Sequence, residues 1–184
     1  MKLWLLRHAR VAVPDGLCYG ASDLSADAAA TDNAAAAFAG KPANGSLLWV
    51  SPMKRTRALA DALSARRPDL SGPTFDARLQ EMDFGEWEMQ AWEQIPRAAF
   101  DSWIDDFAHH RFGGKESTQE VIDRVSGALQ EVRAQGHSEA VWVTHAGVIR
   151  AVTFLLQDDS KIIRSAGQWP RNAPEPGGWI ACEI

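Results

Sequence analysis

The chain has 184 residues and a net charge of −5 at pH 7, with 46% apolar and 23% charged residues. This size and composition fit one domain over residues 1–184, and the acidic balance argues against a nucleic-acid surface, which is usually basic over a whole face. No apolar run is long enough to span a membrane, and two distant cysteines make neither a disulfide framework nor a zinc site, so we expect a cytoplasmic globular protein.

The first half of the chain predicts alternating strands and helices. Short apolar runs without polar alternation indicate parallel strands that are buried on both faces of a sheet. Alanine-rich stretches have high helix propensity, and a helix usually stops before a proline such as Pro68. In chain order the predicted elements are a strand at 2–7, a helix at 26–39, a strand at 47–50, a helix at 56–67 and a weaker strand at 74–75.

The clearest helix signal of the second half begins at Ser117. Ser117 and Glu120 form a capping-box pattern, apolar residues recur at helical spacing from 121 to 132, and Gly136 favours a stop. The elements that follow are a strand at 140–144, a helix at 148–156 and an edge strand at 179–184. The alternation predicts an α/β fold, a three-layer α/β/α sandwich around a mostly parallel sheet.

Polar residues suited to anion chemistry follow three of the predicted strands. Arg7 and His8 end the first strand. Arg55 lies shortly after the second, and His145 and Gly147 follow the third. Ligands of open α/β sheets bind outside the carboxyl ends of the strands. Arginine matches phosphate oxygens, histidine serves as nucleophile or proton donor, and a helix N-terminus adds a favourable dipole, so these residues predict a phosphoryl-transfer pocket.

Four segments resemble, in order, the motifs of the histidine phosphatase superfamily, whose fold is called phosphoglycerate mutase-like. The segments are Leu6–Ala9, Ser51–Arg55, Leu79–Glu88 and Val143–Arg150. The resemblance implies that His8 accepts the phosphoryl group, that Glu81 donates a proton to the leaving group, and that His145 is catalytic. The residues that it implies for phosphate binding are Arg7, Arg55 and Gly147. Because the arginines supply positive charge, it implies no metal and no cofactor.

Two further segments are similar to the alpha-ribazole phosphatase branch of the superfamily. They are Gly16–Asp23, a substrate-side loop, and Trp92–Ser117. This similarity implies that the substrate is a small-molecule phosphate monoester, alpha-ribazole 5'-phosphate, in cobalamin biosynthesis. We expect neither nucleic acid nor membrane as a partner, and a monomer or homodimer. The candidate substrate-side residues are Arg10, Tyr19, Gly20 and Trp87.

Two positions depart from the superfamily pattern. Ala9 stands where the family usually has glycine, and its methyl group would crowd the phosphate if the backbone there needed a positive φ. Pro14 stands where many members have an asparagine, so one phosphate contact is missing. Both changes concern the fit of the substrate, because neither alters the nucleophile.

Some assignments have a structural alternative. Arg10 is either a substrate contact or a surface charge, and Arg150 is expected in a structural ion pair. The adjacent His109 and His110 are expected on the surface or in a lid rather than as metal ligands. Other acids of the Glu81 segment are alternative proton donors, namely Asp83 and Glu86. Three tryptophans either line a substrate pocket or belong to the core, namely Trp87, Trp92 and Trp103.

Three other functions fit parts of the pattern. A phosphoglycerate mutase would use the same pocket, but mutases of this superfamily are typically longer and retain the phosphorylated intermediate. Another phosphatase would take a sugar phosphate or a nucleotide. A non-catalytic phospholigand-binding module would need neither the nucleophile His8 nor the acid Glu81, so the presence of both favours an enzyme.

Overall fold

Strands and helices alternate along most of the chain in a computed structural model that describes residues 1–158 and 160–184. The elements are β1 (Lys2–Arg7), α1 (Ala28–Phe38), β2 (Leu47–Val50), α2 (Lys54–Arg66), β3 (Thr74–Phe75), α3 (Arg97–Asp105), α4 (Thr118–Ala134), β4 (Glu139–Thr144), α5 (Ala146–Gln157) and β5 (Trp179–Glu183). Within those residues, no helix combines the length and apolar character needed to cross a membrane.

The five strands form one sheet in the order β3-β2-β4-β1-β5. Strands β1 to β4 run parallel, and β5 pairs antiparallel with β1 at the edge of the sheet. Arg7 pairs with Thr144, and Val50 pairs with Val143. The carboxyl ends of β1, β2 and β4 are therefore level with one another.

Both faces of the sheet are covered by helices. Successive side chains of a strand point to opposite faces, and β1 supplies apolar residues to each. Leu3 and Leu5 pack in a core with residues of α4 and α5. Trp4 and Leu6 pack in a second core with residues of α1 and α2. The predicted three-layer sandwich around a mostly parallel sheet is confirmed.

Local chemistry sets the helix boundaries. The Ser117 side chain accepts from the Glu120 amide, and the Glu120 carboxylate accepts from the Ser117 amide, so the predicted capping box is confirmed. Gly136 has a φ of +71° beyond the end of α4, a conformation that suits glycine. Helix α3 was not predicted. Phe100, Trp103 and Ile104 recur at helical spacing, but the element has only nine residues and none of them is fully buried.

Candidate active site

The level strand ends bring together two histidines that are far apart in the sequence. His8 follows β1 and His145 follows β4, directly after the paired residues Arg7 and Thr144. The His8 amide donates to the Thr144 carbonyl at 3.0 Å, which extends the pairing beyond the strand. The centroids of the two imidazole rings lie 5.1 Å apart, and both side chains are buried.

A hydrogen bond to the backbone determines which ring nitrogen of His8 carries the hydrogen. Its Nδ1 lies 2.8 Å from the carbonyl oxygen of Ala9, and because a carbonyl only accepts, Nδ1 carries the hydrogen. Burial and the charges of Arg55 and Arg7 lower the pKa of His8 to about 3, against the opposing effect of the Ala9 bond. The ring is consequently neutral at pH 7, with a lone pair on Nε2.

His145 is held at both ring nitrogens. Its Nδ1 accepts from Nε of Arg55 at 3.3 Å, since a guanidinium only donates. Its Nε2 then carries the hydrogen and donates to the Ser51 hydroxyl at 2.8 Å. Burial lowers the pKa of His145 well below its ordinary value, and the neighbouring His8 and Arg55 lower it further. His145 is thus neutral in this arrangement.

Arg55 is fully buried and surrounded by acceptors. Its Nη2 donates to the Gly20 carbonyl at 2.7 Å, and its Nη1 donates to the Ser22 carbonyl at 2.8 Å. The Tyr19 ring centroid lies 5.5 Å from the guanidinium carbon, within cation–π range. Each terminal nitrogen makes one hydrogen bond among the described residues, which leaves one further N–H on each. Tyr19 and Gly20, both predicted on the substrate side, contact Arg55 here.

Arg7 approaches the histidines from the end of β1. Its Nη1 donates to the Pro174 carbonyl at 2.9 Å, while its Nε is buried without a hydrogen-bond partner in the described part of the chain. The charge of Arg7 lowers the pKa of both His8 and His145, so it acts close to them. A buried donor without a partner is costly, and a phosphate oxygen would satisfy it.

Glu81 lies between Arg55 and an aromatic cavity. Its charge raises the pKa of Arg55, against the effect of burial, and its side chain lines the cavity. Both carboxylate oxygens accept from the Gly147 amide at 3.1 Å, and Oε1 also accepts from the Met82 amide at 3.1 Å. A Cβ at position 147 would lie 2.1 Å from Oε1, so glycine lets the carboxylate reach this amide. The Gly147 amide thus contacts Glu81 in this structure, and the phosphate contact expected for Gly147 stays a prediction.

The aromatic cavity has a volume of about 180 Å³. Its apolar walls are formed by Met82, Phe84, Trp92, Trp103, Val121 and Trp169. Its polar lining side chains are Glu81, Thr118 and Arg150. A leaving group held in this cavity would lie next to the carboxylate of Glu81.

Arg150 adds a positive charge to the cavity. Its Nη2 has a long contact of 3.4 Å with the Arg171 carbonyl, and the predicted ion pair is not formed within residues 1–158 and 160–184. Burial lowers the pKa of Arg150, while the charge of Glu81 raises it. The guanidinium is therefore partly desolvated and near, but not paired with, the carboxylate of Glu81.

This arrangement of histidines, arginines and one carboxylate at parallel strand ends has counterparts among known proteins. The sequence model of the histidine phosphatase superfamily (branch 1) matches residues 3–165. The chain belongs to this superfamily. The matched stretch contains both histidines, Arg7, Arg55, Glu81 and Arg150. Outside it lie Trp169, which lines the cavity, and Arg171 and Pro174, which contribute only backbone carbonyls.

Individual relatives agree with this assignment. A Hydrogenobacter thermophilus protein with the provisional name phosphoserine phosphatase 2 is 29% identical over 115 residues, which are 60% of this chain and 55% of that protein. The chain thus spans just over half the length of this relative. A mycobacterial glucosyl-3-phosphoglycerate phosphatase structure is 26% identical, with a TM-score of 0.72 over 84% of this chain and 78% of that one. A mycobacterial hydrolase at 24% identity has a TM-score of 0.81 over 98% and 80%, and shows the shared fold.

The structure also places the other residues that the sequence analysis singled out. Arg10 is exposed at the surface. Trp87 packs on Phe112, with 6.1 Å between ring centroids, whereas the other two predicted tryptophans line the aromatic cavity. Ala9 is buried in the core and has no positive φ, so the condition for crowding by its methyl group is not met. Pro14 is exposed.

Three side chains that lie at the site or beside it were missed by sequence reasoning. Ser51 and Glu88 lie inside the recognised motifs. Nothing else in the sequence indicates a role for these two residues. Ser51 contacts a histidine 94 residues away, and no local pattern reports such a contact. Trp169 lies in a stretch without apolar periodicity, so nothing in the sequence links it to the cavity.

Proposed function

We propose that the protein is a phosphatase that hydrolyses a small-molecule phosphate monoester through a phosphohistidine on His8. The observation that carries this proposal is the state of His8. A neutral ring, tied at Nδ1 to the Ala9 carbonyl, presents Nε2 as a nucleophile beside Arg7 and Arg55. A module that only binds phosphate would need the arginines but no neutral imidazole between them.

In the first step, Nε2 of His8 attacks phosphorus, and the bond from phosphorus to the leaving oxygen breaks. Protonated Glu81 gives its proton to that oxygen, so the leaving group departs as a neutral alcohol. The free N–H groups of Arg7 and Arg55 stabilise the phosphoryl oxygens. His145, bound at Nδ1 to Arg55 and at Nε2 to Ser51, holds the guanidinium of Arg55 beside the phosphoryl group.

In the second step, water attacks phosphorus and the phosphorus–nitrogen bond breaks. The Glu81 carboxylate takes a proton from the attacking water and is ready for the next cycle. His8 regains its lone pair, and inorganic phosphate leaves. The amides of Met82 and Gly147 hold the Glu81 carboxylate in the same place for both steps.

Release of inorganic phosphate from p-nitrophenyl phosphate tests the proposed reaction. We expect turnover by the parent protein and a loss of more than ~10³-fold in His8→Ala, because removal of a nucleophile usually costs at least that much. Circular dichroism checks that the variant is folded. A mutase would transfer the phosphoryl group rather than release it, and a binding module would release none. Variant activity within about tenfold of the parent would remove His8 as the nucleophile.

For the substrate we propose alpha-ribazole 5'-phosphate, which would place the enzyme in cobalamin biosynthesis. The resemblance of Gly16–Asp23 and Trp92–Ser117 to that branch of the superfamily supports this choice. The cavity beside Glu81 also supports it, because Trp92, Trp103 and Trp169 offer flat apolar surfaces to a heteroaromatic base.

Arg150 favours a second substrate class, the phosphorylated hydroxy acids. Its guanidinium lines the same cavity without a carboxylate partner among the described residues, and would pair with a carboxylate of the leaving group. Phosphoserine and glucosyl-3-phosphoglycerate, for which two relatives are named, both carry such a group.

Two variants separate these substrate classes when kcat/KM is measured for alpha-ribazole 5'-phosphate and for phosphoserine. Trp169→Leu should lower kcat/KM for the aromatic substrate by about tenfold, as expected for the loss of one aromatic contact. Trp87→Leu is the matched control, because Trp87 does not line the cavity. A parent that prefers phosphoserine, with a selective loss in Arg150→Gln, would instead assign the hydroxy-acid class.

A further inference from the structure

Glu88 joins two segments of the chain that are distant in the sequence. Its Oε1 accepts from the amides of Ala21 at 2.7 Å and Phe84 at 3.0 Å. Its Oε2 accepts from the amide of Ser22 at 2.6 Å and also from the Ser22 hydroxyl. The carboxylate is thus fully occupied by donors, and it fastens the 20–22 loop to the segment that carries Glu81.

The two segments approach each other as closely as their backbones allow. A Cβ at Gly20 would lie 1.9 Å from the Met82 carbonyl oxygen, so this approach requires glycine. Farther along, the Cys18 amide donates to the Gln90 carbonyl and the Met89 amide donates to the Cys18 carbonyl, both at 2.7 Å. The position of the 20–22 loop is therefore set by the segment around Glu88.

The backbone next to Glu88 is strained. Met89 has a φ of +66°, a left-handed conformation that residues other than glycine adopt only rarely. Such a conformation persists where the surrounding contacts over-determine it, and it often lies at functional sites. Here those contacts include the four hydrogen bonds of Glu88 and the bond between Met89 and Cys18.

The loop held by Glu88 is also the loop that orients Arg55. The carbonyls of Gly20 and Ser22 accept from the two terminal nitrogens of Arg55, which fixes the plane of the guanidinium. We infer that Glu88 is a positioning residue of the phosphate pocket, which aims Arg55 through the 20–22 loop. This inference rests on the proposed function, because it assigns to Arg55 the binding of the substrate phosphate.

Glu88→Gln tests the inference with inorganic phosphate as the probe. An amide nitrogen in place of one oxygen would face backbone donors, so the loop should shift and Arg55 should lose its orientation. We expect the Kd for inorganic phosphate to rise by about 10- to 100-fold, the usual cost of misplacing a binding group by about 1 Å. Glu86→Gln is the matched control, because Glu86 lies in the same turn but is exposed. It should leave the Kd within about twofold of the parent.

A double-mutant cycle separates positioning from general destabilisation. Arg55→Lys keeps the charge but loses the oriented fork, so Glu88→Gln should add almost nothing to its effect on the Kd. Ser22→Ala removes only the hydroxyl donor to Glu88 and should give a smaller rise, which keeps the test open if Glu88→Gln does not fold. An unchanged Kd, or additive effects of Glu88→Gln and Arg55→Lys, would overturn the inference. A parent that neither binds phosphate nor releases it from p-nitrophenyl phosphate would overturn the proposed function instead.

Discussion

The two histidines of the site have the same side chain but opposite tautomers. The Ala9 carbonyl places the hydrogen of His8 on Nδ1, whereas Arg55 and Ser51 place that of His145 on Nε2. The recognised motifs identify both histidines from the sequence alone. The tautomer of His145 could not be predicted in this way, because the neighbours that decide it come from another strand end.

The variant Glu81→Gln tests whether Glu81 is the proton donor. The variant should slow phosphorylation of His8 far more for an alkyl monoester than for an aryl one, because an alkoxide needs a proton as it leaves. General acid catalysis is worth roughly 10²–10⁴-fold where it is needed. The measurement is single-turnover phosphorylation, since Glu81 also acts in the second step and would mask the difference at steady state.

Glu86→Gln provides the control for this comparison, because Glu86 is an exposed acid of the same segment. It should slow neither substrate. Equal losses for alkyl and aryl esters in Glu81→Gln would show that Glu81 is not the acid. Asp83 would then be the next acid to test, since it lines a second cavity together with Glu81.

Among the elements, those with many buried side chains were predicted best. Strand β4 has five buried residues in succession, and α4 has a cap and an apolar face, so each has a local signal. The stretch from Ala77 to Gln94 contains three short 3-10 turns without such a signal, yet it supplies Glu81 and Glu88. Its shape depends on contacts with the 20–22 loop and α5, which the sequence does not reveal.

The capping box of α4 gives a prediction for this element. Ser117→Ala should lower the free energy of unfolding by about 1 kcal/mol, because the amide of Glu120 loses its acceptor. Chemical denaturation followed by circular dichroism measures the change. Ser126→Ala, in the middle of the same helix, is the control and should be neutral or slightly stabilising, since alanine has the higher helix propensity. Equal losses in both variants would contradict a specific role for the cap.

For the whole molecule, the sheet topology converts distant motifs into one pocket. The order of β2, β4 and β1 places the residues that follow them side by side, which is why the strand-end argument from sequence succeeded for His8, Arg55 and His145. The aromatic cavity was only partly predicted, because Trp169 reaches it from beyond α5. The cytoplasmic location and the monomeric or homodimeric state stay predictions.

Burying two neutral histidines makes the stability of the whole molecule depend on pH. In the unfolded chain a histidine takes up a proton below about pH 6.5, whereas the folded-state pKa of His8 is about 3. The unfolded state therefore binds more protons as the pH falls, and the free energy of unfolding decreases. The contribution of His8 is about 1.4 kcal/mol per pH unit between these two values.

His8→Asn removes one of these titrating groups. The free energy of unfolding of the variant should fall less steeply than that of the parent as the pH is lowered from about 6 to about 4, by about 1.4 kcal/mol per pH unit. Denaturant titrations of both proteins at several pH values provide the comparison, in which the titration of carboxylates cancels. Parallel profiles would mean that His8 is not held neutral by the fold.

The phosphohistidine on His8 is the central claim, and rapid quenching after mixing with a ³²P-labelled monoester tests it most directly. The account predicts a label that is stable to base, labile to acid, and located on the peptide that contains His8. The label should be absent from His8→Ala. Turnover without any labelled protein, or a label on another residue, would contradict the account.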